Sequence, residues 1–326
     1  MDQLTVADSR PGSEHTRENR GMENTKPRWG HRIWKATKIA FWLILIYAVV
    51  SQLLAPSLLE SKRADLLSQF QQQRKSRVIA MIHREDTVSL FGVPVESYIN
   101  IEDSEAILRA IRLTPADQPI DLILHTPGGL LLAAEQISRA LVEHKGKVTV
   151  FVPHYAMSGG TLMALAADEI VMDPNAVLGP VDPQIGDTPA ASILKLLELK
   201  KPANISDEML ILADIAAKAR LQTFVFVTGL LGKHLPKEKA AGLAEVLSDG
   251  RFTHDFPITV EAARQLHLPI STQMPPTIYE LMDLYPQDGS RRPSVLYVPL
   301  RPLGGDRPAH GPAKGPSHAP PRTPPS

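Results

Sequence analysis

Residues 120–129 read IDLILHTPGG, and residues 147–160 read KVTVFVPHYAMSGG. Each opens as an apolar run of strand length and closes on a glycine-bearing turn. Helix-length segments follow, Leu131–Glu143 after the first turn and Gly159–Ala167 after the second. A strand apolar on both faces is covered on both faces, the setting of a parallel sheet between crossover helices. Working outward, RVIAMIH (77–83), LFGVPVESYI (90–99) and EIVMD (169–173) read as further strands, and EAILRAIRL (105–113) as an amphipathic helix. Strands alternating with helices predict an α/β fold with a largely parallel sheet.

In such a sheet both turns fall at the carboxyl edge, where ligands bind. Each turn also opens a helix, whose first N–H groups can stabilise developing negative charge. Ser158 stands at the second turn. With amides from Gly128 or Gly129 and from Gly159, the parts of an acyl-transfer site are present: a nucleophile and an oxyanion hole. The same residues fit a plainer reading, with Ser158 as a helix cap and the glycines as tight-turn residues.

Candidates for the base are fewer. His154 shares the serine's turn but points elsewhere unless the turn folds back, and His254 reaches the site only through the fold. Lys195, Lys200, Lys201 and Lys218 all follow the serine. Lys218 stands out because its helix, Asp207–Gly229, is apolar on nearly every side, and desolvation favours the neutral amine a base needs. Asp214, four residues earlier, is the competing partner and would hold Lys218 in a structural ion pair.

The 326 residues, 43% hydrophobic, suffice for one sizeable domain plus appendages. Lys plus Arg equals Asp plus Glu at 35 each, so no basic excess points to nucleic acid. Cys is absent, which excludes a disulfide, a thiolate nucleophile and a Cys-based metal site. No metal or organic cofactor is implied. Residues 1–38 read as a disordered polar tail. The uncharged run IAFWLILIYAVVSQLLA (39–55) predicts one transmembrane helix over residues 39–56. Lys26, Arg28, Arg32, Lys35 and Lys38 precede it, so the positive-inside rule puts the large domain on the extracytoplasmic side. Residues 57–76 read as a helical stalk, 77–286 as the folded domain, and 287–326 as a Pro-rich disordered tail. The Asp207–Gly229 helix carries Asp214, Lys218 and Arg220 at its middle, too costly for lipid, and is expected to be a buried interface helix.

HTPGG, YAMSGGTLMALAADEIVMDPNAVLGPVDPQIG (155–186) and SDGRFTHDFPITVEAARQL (248–266) resemble the serine dehydrogenase proteinase family. These are Clp-fold serine proteases related to signal peptide peptidase A and the Clp proteolytic subunit. The resemblance implies a Clp-protease/crotonase-type spiral, hydrolysis of peptide or protein substrates, and homo-oligomeric assembly. Ser158 resembles the family's nucleophile, Gly128 and Gly129 its first oxyanion element, and Gly159 its second. The Clp subunit carries its histidine shortly after the serine, at a place that Pro183 occupies here, with Asp182 beside it. That departure favours the Ser–Lys dyad of signal peptide peptidase A, with Lys218 as the best match and His254 as structural. Two rivals stand. A crotonase-like acyl-CoA enzyme would need acidic residues rather than a serine at the second turn. A catalytically silent membrane scaffold would fit a permanent Asp214–Lys218 pair.

Overall fold

The structure, a computed structural model, describes residues 29–83 and 98–285, and within these the side chains of residues 29–32 and 48–57 are not described. Most of the expected strand 90–99, most of the N-terminal tail and the whole Pro-rich tail therefore lie outside the described residues. The chain divides into two units, Met1–Gln69 and Phe70–Ser326.

The described residues of the first unit all belong to one helix, which ends at Arg74. Helix α1 (Trp29–Arg74) runs without interruption through the end of the expected tail, the expected span and the expected stalk. Neither Gly nor Pro occurs from His31 to Ala55, so nothing in that stretch breaks the helix. Ile39, Phe41, Trp42, Ile44 and Tyr47 are exposed along it. Among the described residues no helix is long and apolar enough to cross a membrane.

The second unit alternates as the apolar runs predict. In chain order it contains β1 (Arg77–Ile82), α2 (Ile101–Arg112), β2 (Ile120–His125), α3 (Leu131–Glu143), β3 (Val148–Val152), β4 (Tyr155–Ala156), α4 (Gly159–Leu165) and β5 (Glu169–Met172). Then follow β6 (Val177–Leu178), the hairpin β7 (Gln184–Ile185) and β8 (Thr188–Pro189), α5 (Ala190–Leu199), α6 (Asp207–Leu231) and α7 (Lys237–Ser248). The last elements are β9 (Ile258–Thr259), α8 (Val260–Gln265), β10 (Ile270–Ser271) and α9 (Pro276–Asp283).

The main sheet has the order β1-β2-β3-β5-β10, and every pairing in it is parallel. Leu122 pairs with Ile79 on one side and Val150 on the other, at the centre of the core. All six positions of β2 and all five of β3 are buried, the physical counterpart of their unalternating apolar sequence. Asp121 is the charged residue in β2, and it is satisfied. Arg74 donates to both of its oxygens, at 2.9 and 3.1 Å, and the Ser76 hydroxyl donates at 2.6 Å.

A second, three-stranded sheet has the order β4-β6-β9. Its first strand, β4, follows β3 directly in sequence, where the chain turns toward Ser158. Helix α6 is buried along one side. It buries a stripe that includes Ala213, Ala216, Thr223 and Val227, while Leu210, Ile211, Ile215, Leu221 and Val225 are exposed. Among the described residues only one side of α6 is packed.

Candidate active site

The strands β2 and β3 deliver the two glycine turns side by side. Thr126 N–H donates to Tyr155 O at 3.2 Å, and Met157 N–H donates to Thr126 O at 3.0 Å. The turns are thus joined by backbone hydrogen bonds immediately before Ser158. Ser158 itself adopts φ 50°, ψ −114°, a backbone conformation that non-glycine residues rarely hold. It makes no capping hydrogen bond to α4, so the plainer reading as a side-chain helix cap does not hold. The strained bend between β4 and α4 turns the serine toward a cavity, as at other strand-to-helix nucleophile turns.

Two glycines permit the close approach. A Cβ on Gly128 (φ +112°) would lie 2.8 Å from the Ser158 Cβ, and one on Gly160 would lie 2.6 Å from the Thr126 Cγ2. Gly128 N–H donates to Thr126 Oγ1 at 3.1 Å, so that amide is already engaged. The N–H groups of Gly129 and Gly159 have no hydrogen-bond partner among the described residues. They are neighbours: a Cβ on Gly159 would lie 3.8 Å from the Gly129 nitrogen. Of the three expected oxyanion residues, Gly129 and Gly159 offer donors, and Gly128 shapes the turn.

The first turn is held from below. His83 Nδ1 lies 2.7 Å from Thr126 Oγ1, and its Nε2 lies 3.2 Å from Asp103 Oδ2. Asp103 also closes the capping box of α2 with Asn100. Next to that box, Ile99 N–H donates to Gly128 O at 2.7 Å, and Leu130 N–H donates to Ile99 O at 2.8 Å.

Ser158, Gly129 and Gly159 line a cavity of about 610 Å³ together with Thr223, Asp182 and His254. His254 Nδ1 lies 2.9 Å from Asp182 Oδ1, and Gln184 Nε2 donates to Asp182 Oδ2 at 2.6 Å. From the sequence, His254 is expected to be structural, and Asp182 has no neighbouring histidine to orient. The signal available was slight: Asp182 in GPVDPQ and His254 in GRFTHDF are far apart in sequence, and each stands among other polar residues.

Lys218 is not brought to the serine. It does not line the cavity, its side chain is 68% exposed, and it pairs with Asp214 on the surface of α6. Thr223, which does line the cavity, lies five residues on, about 140° around the helix. Lys195, Lys200 and Lys201 are exposed and outside the cavity as well.

Two uncharacterised proteins of Methanocaldococcus jannaschii are similar to the chain. One is 51% identical over 263 residues, 81% of this chain and 92% of that protein. The other is 55% identical over 239 residues, 73% of this chain and 82% of that protein. Among solved structures, ClpP1 from Listeria monocytogenes is 16% identical, covers 63% of this chain and 97% of its own, and aligns with a TM-score of 0.40. A membrane-bound stomatin-specific protease is 20% identical over 57% of this chain and 79% of its own, with a TM-score of 0.39. Residues 31–309 match the ClpP-like SDH-type serine proteinases, so the chain belongs to that family and is a serine peptidase with an α/β ClpP-like fold.

Proposed function

We propose that the protein is a membrane-anchored, homo-oligomeric peptidase that cleaves peptide or protein substrates through an acyl-enzyme on Ser158. One observation carries the reading. Ser158 is held in a strained backbone at the rim of a cavity, beside two N–H groups without partners, those of Gly129 and Gly159. Ser158 Oγ attacks the scissile carbonyl, and the two amides receive the developing oxyanion. Removing one such donor costs on the order of 10²–10³ in kcat.

The lysine of the expected Ser–Lys dyad has weaker support. Exposed and paired with Asp214, Lys218 would have to be presented by a neighbouring copy to act on this serine. Assembly is supported by the exposed apolar residues of α6, which include Leu210, Ile211, Leu221 and Val225. Anchoring is supported by the uncharged run 39–55 and by the exposed apolar side chains along α1. The basic residues before that run favour an extracytoplasmic peptidase domain.

The test is covalent labelling of the full-length chain with a fluorophosphonate probe. Labelling of the parent and its loss in Ser158→Ala, with both proteins folded, is the expected result. A folded, assembled parent that takes no label would favour the silent scaffold instead. Resistance of the protein to alkaline extraction from membranes, lost on deletion of residues 1–56, tests the anchor.

A further inference from the structure

Three polar side chains converge on one edge of the small sheet. β4 and β6 run parallel, so Ser158, just beyond β4, and Asp182, just beyond β6, leave at the same end. β9 runs antiparallel to β6, so His254, just before β9, enters at that end too. The convergence follows from strand direction alone, before any side-chain contact is considered.

The chemistry of the contact then sets the proton. Asp182 is 3% exposed and accepts from Gln184, while its other oxygen faces His254 Nδ1 at 2.9 Å. An ionised carboxylate can only accept, so Nδ1 carries the hydrogen and Nε2 is left as the acceptor. Nε2 has no partner among the described residues, and the ring, 34% exposed, faces the cavity that Ser158 lines. Ser158 Oγ likewise makes no side-chain hydrogen bond among the described residues. Such contacts commonly tighten only when substrate binds.

We propose that His254 is the general base and acid of this peptidase, oriented by Asp182, in place of a lysine. The assignment rests on the peptidase reading of Ser158. A Ser-His-Asp set is recognised by geometry and role rather than by order along the chain, and here the order is Ser158, Asp182, His254. His254 Nε2 takes the Ser158 hydroxyl proton as Oγ bonds to the carbonyl carbon. The imidazolium then gives that proton to the leaving amine nitrogen as the C–N bond breaks. Water attacks the acyl ester, its proton passes to Nε2, and Oγ leaves as the alkoxide that regains the proton. Asp182 keeps its negative charge throughout.

The experiment compares fluorophosphonate labelling rates of the full-length parent with His254→Ala, His254→Gln, Asp182→Asn and Lys218→Ala, each checked for its melting temperature. His254→Gln retains a donor for Asp182 but has no basic nitrogen, so it separates a base from a strut. The expected result is a loss of about 100-fold or more in both His254 variants, the range for general-base catalysis. Asp182→Asn should fall as well, and Lys218→Ala should stay within about twofold. Added free imidazole should restore labelling of His254→Ala, which no structural role would produce. Parent-like labelling of folded His254→Gln, or loss confined to Lys218→Ala, would overturn the assignment and leave the peptidase standing. A folded parent that takes no label overturns both.

Discussion

The His83 imidazole holds the Thr126 hydroxyl at 2.7 Å, and that hydroxyl in turn accepts the Gly128 N–H at 3.1 Å. The chain Asp103–His83–Thr126–Gly128 is consistent with one protonation state. Neutral His83 donates from Nε2 to Asp103 and accepts at Nδ1 from Thr126, whose oxygen accepts from Gly128. Thr126→Val strips Gly128 of its acceptor, at a cost of about 1–3 kcal/mol for a buried unsatisfied amide. We expect kcat to fall by about tenfold with KM nearly unchanged, since the turn supports the oxyanion amides rather than substrate binding. Steady-state kinetics on a peptide substrate provide the check.

The same relay predicts acid sensitivity. Burial pushes the His83 imidazole below its ordinary 6.5, against the opposing pull of Asp103. A group held below its unfolded value contributes stability above pH 6.5 and loses it as pH falls through the lower folded value. The parent melting temperature should therefore drop on acidification from pH 7. In His83→Asn that drop should be smaller, although the variant is less stable at neutral pH. Equal slopes for the two proteins would remove His83 as the cause.

Gly128 is predicted to be intolerant of any side chain. A methyl group there would stand 2.8 Å from the Ser158 Cβ on a backbone at φ +112°. Gly128→Ala should cut fluorophosphonate labelling by at least about 100-fold, because it displaces both the nucleophile and the turn beside it. Gly186→Ala is the control, since a Cβ there meets nothing within 4 Å despite its φ of +61°. That variant should label within a fewfold of the parent.

Two ion pairs should differ widely in worth. Asp121 is 1% exposed and depends on Arg74, whose own side chain is 38% exposed. Arg74→Ala leaves the buried carboxylate with Ser76 as its remaining side-chain partner and should cost about 2–3 kcal/mol in urea unfolding, below the figure for a fully buried pair. Lys218→Ala breaks a pair exposed on both sides and should cost under about 1 kcal/mol. If the two variants unfold alike, burial is not what makes Asp121 dependent on its partner.

Tyr279 gives a prediction at the alkaline end. Burial, together with its hydrogen bond to Asp173, pushes the phenol up to about 12. A raised folded value adds stability below the unfolded value of 10.0 and loses it as pH rises toward 12. Tyr279→Phe should flatten the decline in melting temperature over that window.

Much of this protein was written locally. Unalternating apolar runs ending in glycine turns can only be strands covered on both faces, and parallel pairing follows from the helices between them. The position of Ser158 at such a turn was legible for the same reason, since its neighbours in sequence, Met157 and Gly159, are also its neighbours in space. Helix α6 was legible as a helix but not in its burial. Its apolar residues lie all round, so no periodic stripe marks the face that packs.

The meeting of Asp182 and His254 beside Ser158's cavity was decided by tertiary structure. His254 and Asp182 stand 72 residues apart in sequence, and the strands that bring them together, β6 and β9, are two residues long each. Segments that short carry no periodicity, so no local signal marks them as a sheet. The apolar sequence around Lys218 predicts burial, whereas burial depends on which way the helix faces, and Lys218 is exposed. Sequence alone therefore determined the main-sheet strands β2, β3 and β5 and the turn on which Ser158 stands, because these rest on contacts between near neighbours. Only the fold decided that Asp182 meets His254 at the cavity and that Lys218 faces away, because both depend on the directions of elements far apart along the chain.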